Sequence, residues 1–312
     1  MTIRIYTHPV CEQHDMGAGH PECPERLAAV RDGLRASTVS GRLDWREAPL
    51  VDREALLRVH PEEHVAAIER TAPAEGRVAL DADTAMNAHT LEAARRAAGA
   101  AVAAVDDVLD GNGRRVFCAV RPPGHHAEYR RAMGFCFFNN VAVAAAHALA
   151  RGLTRVAILD FDVHHGNGTE DIFREDPRVL LCSSFQHPFY PGTPLADRWS
   201  IVHTPLAAGS GGTEFRRAVE AYWWPAMEAF APELVLVSAG FDAHRADPLA
   251  GLNFYEADYR WVTTELVARA ECHAPGRVVS MLEGGYDLPA LRDSAAAHVE
   301  ALSAGIDHLS AQ

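Results

Sequence analysis

No two of the six cysteines stand in Cys-x-x-Cys spacing, which argues against a zinc-finger or thioredoxin-like motif. Cys11, Cys23, Cys118, Cys136, Cys182 and Cys272 are scattered along the chain, as the reduced thiols of a cytosolic core are. Long apolar runs are missing too, so no segment reads as a membrane span and no membrane partner is expected. The start, Met1-Thr2-Ile3-Arg4-Ile5-Tyr6, lacks the basic n-region and apolar stretch of a signal peptide and reads as a first strand. The expected compartment is therefore the cytoplasm. Basic residues are in the minority, 29 against 42 acidic, for a net charge of -13. That balance makes nucleic acid a poor candidate partner and would draw a basic substrate weakly. There is no internal repeat, low-complexity tract or linker. With 312 residues, 48% of them hydrophobic and 23% charged, one globular domain spanning 1–312 is expected.

What the sequence does contain is concentrated in Leu159-Asp160-Phe161-Asp162-Val163-His164-His165-Gly166-Asn167-Gly168. Two carboxylates and two imidazoles follow the apolar run Arg155-Val156-Ala157-Ile158-Leu159. In an extended chain alternate residues share a face, so Asp160, Asp162 and His164 are expected to point the same way. Such groups at the end of a buried strand need a partner, and a divalent cation is the obvious one. The glycines that follow suit a turn at the carboxyl end of a sheet, where α/β folds place their ligands.

The rest of the chain alternates strands with helices. A helix opens near Pro24, and short helices are expected at 51–57 and 61–68, with His60 and His64 exposed or capping. An Ala-rich helix at 91–109 ends at Gly111-Asn112-Gly113. Strands are expected at 116–120, 155–161, 179–184, 234–238 and 277–281, with helices at 139–150, 168–174, 212–230, 255–271 and 288–303, and a loop at 186–198. This alternation predicts an α/β fold with a mostly parallel central sheet and helices on both faces.

Four loops then leave four strand ends on one edge of that sheet: 121–135, 160–168, 239–250 and 282–287. They carry His125 and His126, then Asp160, Asp162 and His164, then Asp242, then Tyr286. Asp162, His164 and Asp242 make a three-ligand site with an open position, as catalytic zinc requires. Zinc can lower the pKa of its water to about 7. Two carboxylates and an imidazole also suit Fe2+ or Mn2+.

Five motifs go further: Arg121-Pro122-Pro123-Gly124-His125-His126-Ala127, Gly134-Phe135-Cys136-Phe137-Phe138-Asn139-Asn140, Asp160 through Thr169, Ser238-Ala239-Gly240-Phe241-Asp242-Ala243-His244, and Glu283-Gly284-Gly285-Tyr286. In order and spacing, beginning at His20-Pro21-Glu22, they resemble the histone deacetylase superfamily, whose architecture is arginase-like. The Gly166-Asn167-Gly168 and Gly240-Phe241-Asp242 variants look most like class II deacetylases and their bacterial relatives, histone deacetylase-like and acetylpolyamine amidohydrolases.

The resemblance implies zinc on Asp162, His164 and Asp242, with His126 as general base and then general acid. His125, partnered by Asp160, would orient the water, and Tyr286 would stabilise the oxyanion. Asn167 stands where some relatives carry Asp beside the second histidine. A structural K+ is implied at Asp160, Asp162, His164 and Ser183. Gly134, Phe135 and Tyr190 match the wall of a narrow acyl-lysine channel. His165 is expected to bond a structural carbonyl, and His187, His203, His244 and His273 to be structural or exposed.

The implied reaction is zinc-dependent hydrolysis of an N-acyl amide, releasing acetate and an amine. In polyamine-selective relatives a Glu follows an Asp-Pro pair. Here Asp247-Pro248 is followed by Leu249, which favours acetyl-lysine in peptides or proteins over a small acetylated amine such as an acetylpolyamine. A non-catalytic metal-binding scaffold would lack a ligand, base or oxyanion donor, and none is missing. An arginase-like ureohydrolase would show a second set of paired Asp and His ligands, and one set is visible. A homo-oligomer is compatible with the pattern.

Overall fold

The computed structural model describes residues 2–304. In chain order its elements are β1 (Ile3–Thr7), α1 (Glu25–Ala36), β2 (Leu43–Glu47), α2 (Arg53–Leu57), α3 (Glu62–Thr71), β3 (Arg77–Ala79), β4 (Ala85–Asn87), α4 (Thr90–Leu109) and β5 (Arg115–Cys118). Then come α5 (Asn140–Ala150), β6 (Val156–Asp160), α6 (Asn167–Phe173), β7 (Val179–Gln186), β8 (Ile201–Leu206), α7 (Gly212–Phe230), β9 (Leu234–Ala239), α8 (Glu256–His273), β10 (Val278–Leu282) and α9 (Leu288–Ser303).

Eight strands form one sheet in the order β2-β1-β5-β10-β9-β6-β7-β8. Every neighbouring pair is parallel. Helices cover both faces, α1, α8 and α9 packing together as one group and α4 with α5 as another. Strands enclosed in this way read as continuous apolar runs rather than alternating ones. Accordingly, β5, β6, β9 and β10 are buried along their whole length.

The α/β expectation is met, and the helices and inner strands fall where the alternation predicts. The Ala-rich α4 packs closely on its surroundings: a Cβ at Gly99 would run into the carbonyl oxygen of Pro49. Two sheet strands have no counterpart in the sequence pattern. β2 is a partly exposed edge strand with alternating charges, and β8 is an edge strand carrying Pro205, a residue tolerated at edges. The short antiparallel pair β3–β4 is likewise additional.

His60 and His64 are corrected, being neither exposed nor caps. Both are buried and their rings stack 4.6 Å apart. His60 Nε2 accepts the amide of Asn139, and His64 Nε2 lies 2.9 Å from the Phe137 carbonyl. Burial, with neighbouring His64, pushes His60 down to about 3, so it serves as a neutral acceptor. No helix among the described residues is long and apolar enough to cross a membrane.

Candidate active site

β5, β10, β9 and β6 are consecutive in the sheet, so their carboxyl ends are neighbours. The loops leaving them meet there, as loops at one edge of a parallel sheet must.

After β6 the chain turns, and the expected common face is kept only in part. His164 Nδ1 lies 3.1 Å from Asp162 Oδ1 and 3.2 Å from Asp242 Oδ2. Asp160 points elsewhere, its Oδ2 3.0 Å from His125 Nδ1. Asp162, His164 and Asp242 are buried, and one ligand atom from each lies within 4.8 Å of the others. Backbone amides set the carboxylates: Gly284 N donates to Asp162 Oδ2 and Val163 N to Asp242 Oδ1. A Cβ at Gly240 or Gly284 would collide with these carboxylates, so glycine alone lets both loops approach.

Asp242 Oδ2 is buried with no hydrogen bond of good geometry, its 3.2 Å approach to His164 Nδ1 being an ion-pair contact. Burial works against charge on His164, yet the Asp162 and Asp242 carboxylates beside it outweigh that and raise the ring to about 10. The carboxylates therefore favour positive charge at this point, and a divalent cation satisfies both that field and the orphaned oxygen. The residues present fit a catalytic metal with an open coordination position. Ser183 faces Asp160 across β6 and β7, and its buried Oγ has no hydrogen-bond partner either, which suits a second, weaker cation ligand.

His125 and His126 sit side by side, ring centroids 4.0 Å apart, with different partners. Burial opposes charge on His125, but Asp162 and Asp160 outweigh it and hold the ring well above the ordinary histidine range. His126 Nδ1 lies 2.7 Å from Asn167 Oδ1. Burial, then the charges of His125 and His164, push His126 well below that range. The Asn167 amide nitrogen donates to Glu128 Oε1 at 2.8 Å. A carboxylate only accepts, so the amide oxygen must face His126. His126 then carries its proton on Nδ1, and Nε2 keeps a free lone pair.

Above these groups lies a cavity of about 170 Å³. Gly134, Phe135, Tyr190, Leu249 and Tyr286 line it together with His126 and His164. Phe189 and Asp83 also line it and were not anticipated. Phe189 stacks on His164 at 5.5 Å, and Phe135 meets Tyr286 edge-on at 5.9 Å. Gly134 has φ +56°, and a Cβ there would press into the His126 ring. Burial, then Asp242, pushes the Tyr286 hydroxyl well above the ordinary tyrosine range, against Arg26.

A buttress behind the site escapes motif reading. Glu22 is fully buried and receives two hydrogen bonds from Arg121, at 2.5 and 2.6 Å, and one from Arg26 at 2.9 Å. Arg26 also donates to the carbonyls of Glu283 and Gly285, in the loop that carries Tyr286. Glu283 accepts the amides of Gly124 and His125, and Asp247 accepts those of Tyr286 and Asp287. Burial and nearby Asp242 raise Asp247 to about 7. The only hint in the sequence is that Glu22, Arg121 and Glu283 belong to the matched motifs.

His165 is also corrected: it bonds the Glu170 carboxylate at 2.8 Å rather than a carbonyl. His203 meets the same carboxylate.

A family model for the histone deacetylase domain matches residues 20–302. A histone deacetylase-like amidohydrolase of Pseudomonas aeruginosa is 40% identical over 283 residues, covering 88% of this chain and 74% of that one. A probable deacetylase of Archaeoglobus fulgidus is 36% identical over 297 residues, covering 92% and 82%. An uncharacterised Synechocystis protein is 42% identical over 290 residues, covering 90% and 93%. The crystal structure of the HDA15 HD domain superposes with a TM-score of 0.90 at 36% identity, covering 97% of this chain and 90% of that one. The chain belongs to the histone deacetylase family. Family and relatives make it a deacetylase-type hydrolase, in a family that is generally metal-dependent.

Proposed function

We propose that this protein hydrolyses the acetyl amide of acetyl-lysine in peptides or proteins, with zinc at Asp162, His164 and Asp242, releasing acetate and the free amine. The observation that carries the reading is the stacking of parts along one narrow cavity: aromatic walls, then Tyr286, then the two-carboxylate, one-imidazole group beside two differently partnered histidines. Bound there, Zn2+ supplies Lewis acidity and a water that is nucleophilic near neutral pH; Fe2+ suits the same donors.

The chain's own groups divide the remaining work. His126 Nε2 takes a proton from the attacking water and later delivers it to the departing amine nitrogen. Asn167 keeps that nitrogen unprotonated beforehand by holding the ring's other proton. His125, held by its contact to Asp160, orients the water and stabilises negative charge as it develops. The Tyr286 hydroxyl stays protonated and donates to the amide oxygen, as preorganised oxyanion donors do. Phe135 and Tyr190 pack along the methylene chain, and Gly134 leaves room for the His126 ring. K+ held by Asp160 and Ser183, together with backbone carbonyls, would brace the β6 loop; the orphaned Ser183 hydroxyl supports it.

Apolar Leu249 on the wall supports acyl-lysine, since it offers nothing to a distant ammonium. Asp83 on the same wall is the observation that favours the alternative, an acetylated polyamine. Acetate release is to be compared on acetyl-lysine peptides, acetylputrescine and acetylspermidine. Faster turnover of the peptides is expected. Turnover of the polyamines alone would replace the substrate assignment, and no release from any of them would remove the acetyl-amide reading.

A further inference from the structure

A second group of ligating side chains lies outside this machinery. His165 follows β6, Glu170 is in α6 and His203 is in β8, so three separate elements converge. Glu170 Oε2 lies 2.8 Å from His165 Nε2 and 2.5 Å from His203 Nε2. One ligand atom from each residue falls within 4.8 Å of the others. His165 and Glu170 are buried and His203 is half-buried.

The group is held in place by its surroundings. Glu170 Oε1 accepts the amide of Ala196 at 2.7 Å, which aims Oε2 at the two rings. The His165 ring packs on Phe185 at 4.7 Å. Burial opposes the Glu170 carboxylate, but the two imidazoles and the Ala196 amide outweigh it and bring it down to about 2. Both ring nitrogens meet Glu170 Oε2, so one carboxylate oxygen and two imidazole nitrogens lie within 4.8 Å of one another.

We propose that His165, Glu170 and His203 form a second divalent-metal site, separate from the catalytic one, that takes a transition-metal ion such as Zn2+. Two imidazoles and a carboxylate are zinc donors, and bonds of about 2.0 Å in a tetrahedron put ligand atoms about 3.3 Å apart. The observed contacts need to open by less than about 1 Å to reach that spacing. A cavity of about 230 Å³ lined by His165, Glu170, Asn167 and Thr193, though not by His203, reaches two of the three ligands and leaves room for water beside them. Bound there, the ion ties α6 to the edge strand β8. Asn167, the partner of His126, is the first residue of α6, so the site braces the catalytic base from behind.

The test is equilibrium dialysis of the untagged full chain against Zn2+ after chelator treatment, read by elemental analysis. Circular dichroism checks that each variant is folded. His203→Gln is expected to bind one equivalent fewer than wild type. In an Asp242→Ala background, which impairs the catalytic group, one equivalent is expected to remain. The Asp242→Ala/His203→Gln double variant is expected to lose it, and Glu170→Gln should behave as His203→Gln does. Equal zinc in wild type and His203→Gln would overturn the proposal and leave an ordinary carboxylate bridging two rings. The comparison is independent of the proposed deacetylase reaction, because the difference made by His203→Gln is measured without substrate.

Discussion

His126 and Asn167 are joined by a 2.7 Å contact whose direction is set by a third group, Glu128, on the far side of the amide. The neutral partner orients His126 without pinning a proton on its Nε2. Asp160 does the opposite for His125, favouring its charged form. Adjacent histidines thus meet different partners, while burial and the charges of His125 and His164 hold His126 down and Asp162 with Asp160 favours charge on His125.

Asn167→Asp is predicted to raise the His126 pKa by about one unit or more, because an opposite charge at contact favours the imidazolium. The base works unprotonated, so activity is lost below its pKa, and raising that pKa moves the acid limb of kcat/KM to higher pH. A pH–rate profile checks this. An unmoved acid limb would mean that Asn167 does not govern the base.

Tyr286→Phe is predicted to lower kcat by about 100-fold or more while metal content stays at the wild-type level. Steady-state kinetics together with elemental analysis distinguish loss of an oxyanion donor from loss of the metal. Full activity in the variant would end its assignment to the amide oxygen.

A hydroxamate is predicted to inhibit by chelating the open metal position, and Asp242→Ala to lose metal from the catalytic group. Inhibitor titration and metal analysis are the checks. An uninhibited enzyme at saturating hydroxamate would count against an accessible metal at the base of the cavity.

Glu22→Gln is predicted to destabilise the fold by about 3–5 kcal/mol, since it leaves the buried Arg121 and Arg26 guanidinium groups without their anion. Burial opposes the Glu22 carboxylate, but Arg121 and His14 outweigh it and hold it well below the ordinary range. A group whose folded pKa is depressed contributes stability that is full above its unfolded value and lost as pH falls toward the folded one. The wild-type chain should therefore lose this contribution on acidification below about 4.5, the ordinary value for this carboxyl. Denaturant melts at neutral and acid pH measure both effects. Unchanged stability in Glu22→Gln at neutral pH would refute the buttress.

Much of the fold and of the candidate site was legible in the chain before folding. The apolar runs at 155–161, 234–238 and 277–281 are strands because both of their faces are buried, and each ends in a loop rich in chemistry. In a parallel sheet those loops must share an edge, so Asp162, His164, Asp242, His126 and Tyr286 could be brought together on paper. The edge strands β2 and β8 were not legible, since a half-exposed strand carries mixed polarity and gives no clear period.

Tertiary structure alone decided the pairings across distant positions. Glu22 meets Arg121 at a separation of 99 residues, and Arg26 meets Gly285 at 259. His203 reaches Glu170 because β8 lies beside β7 in the sheet, and His60 meets the distant Tyr129 carbonyl, the Phe138 ring and the Asn139 amide. Local propensity and spacing set which residues form a strand or a turn. Which buried charge finds which partner depends on the packing of elements far apart in the chain, and no short pattern encodes it.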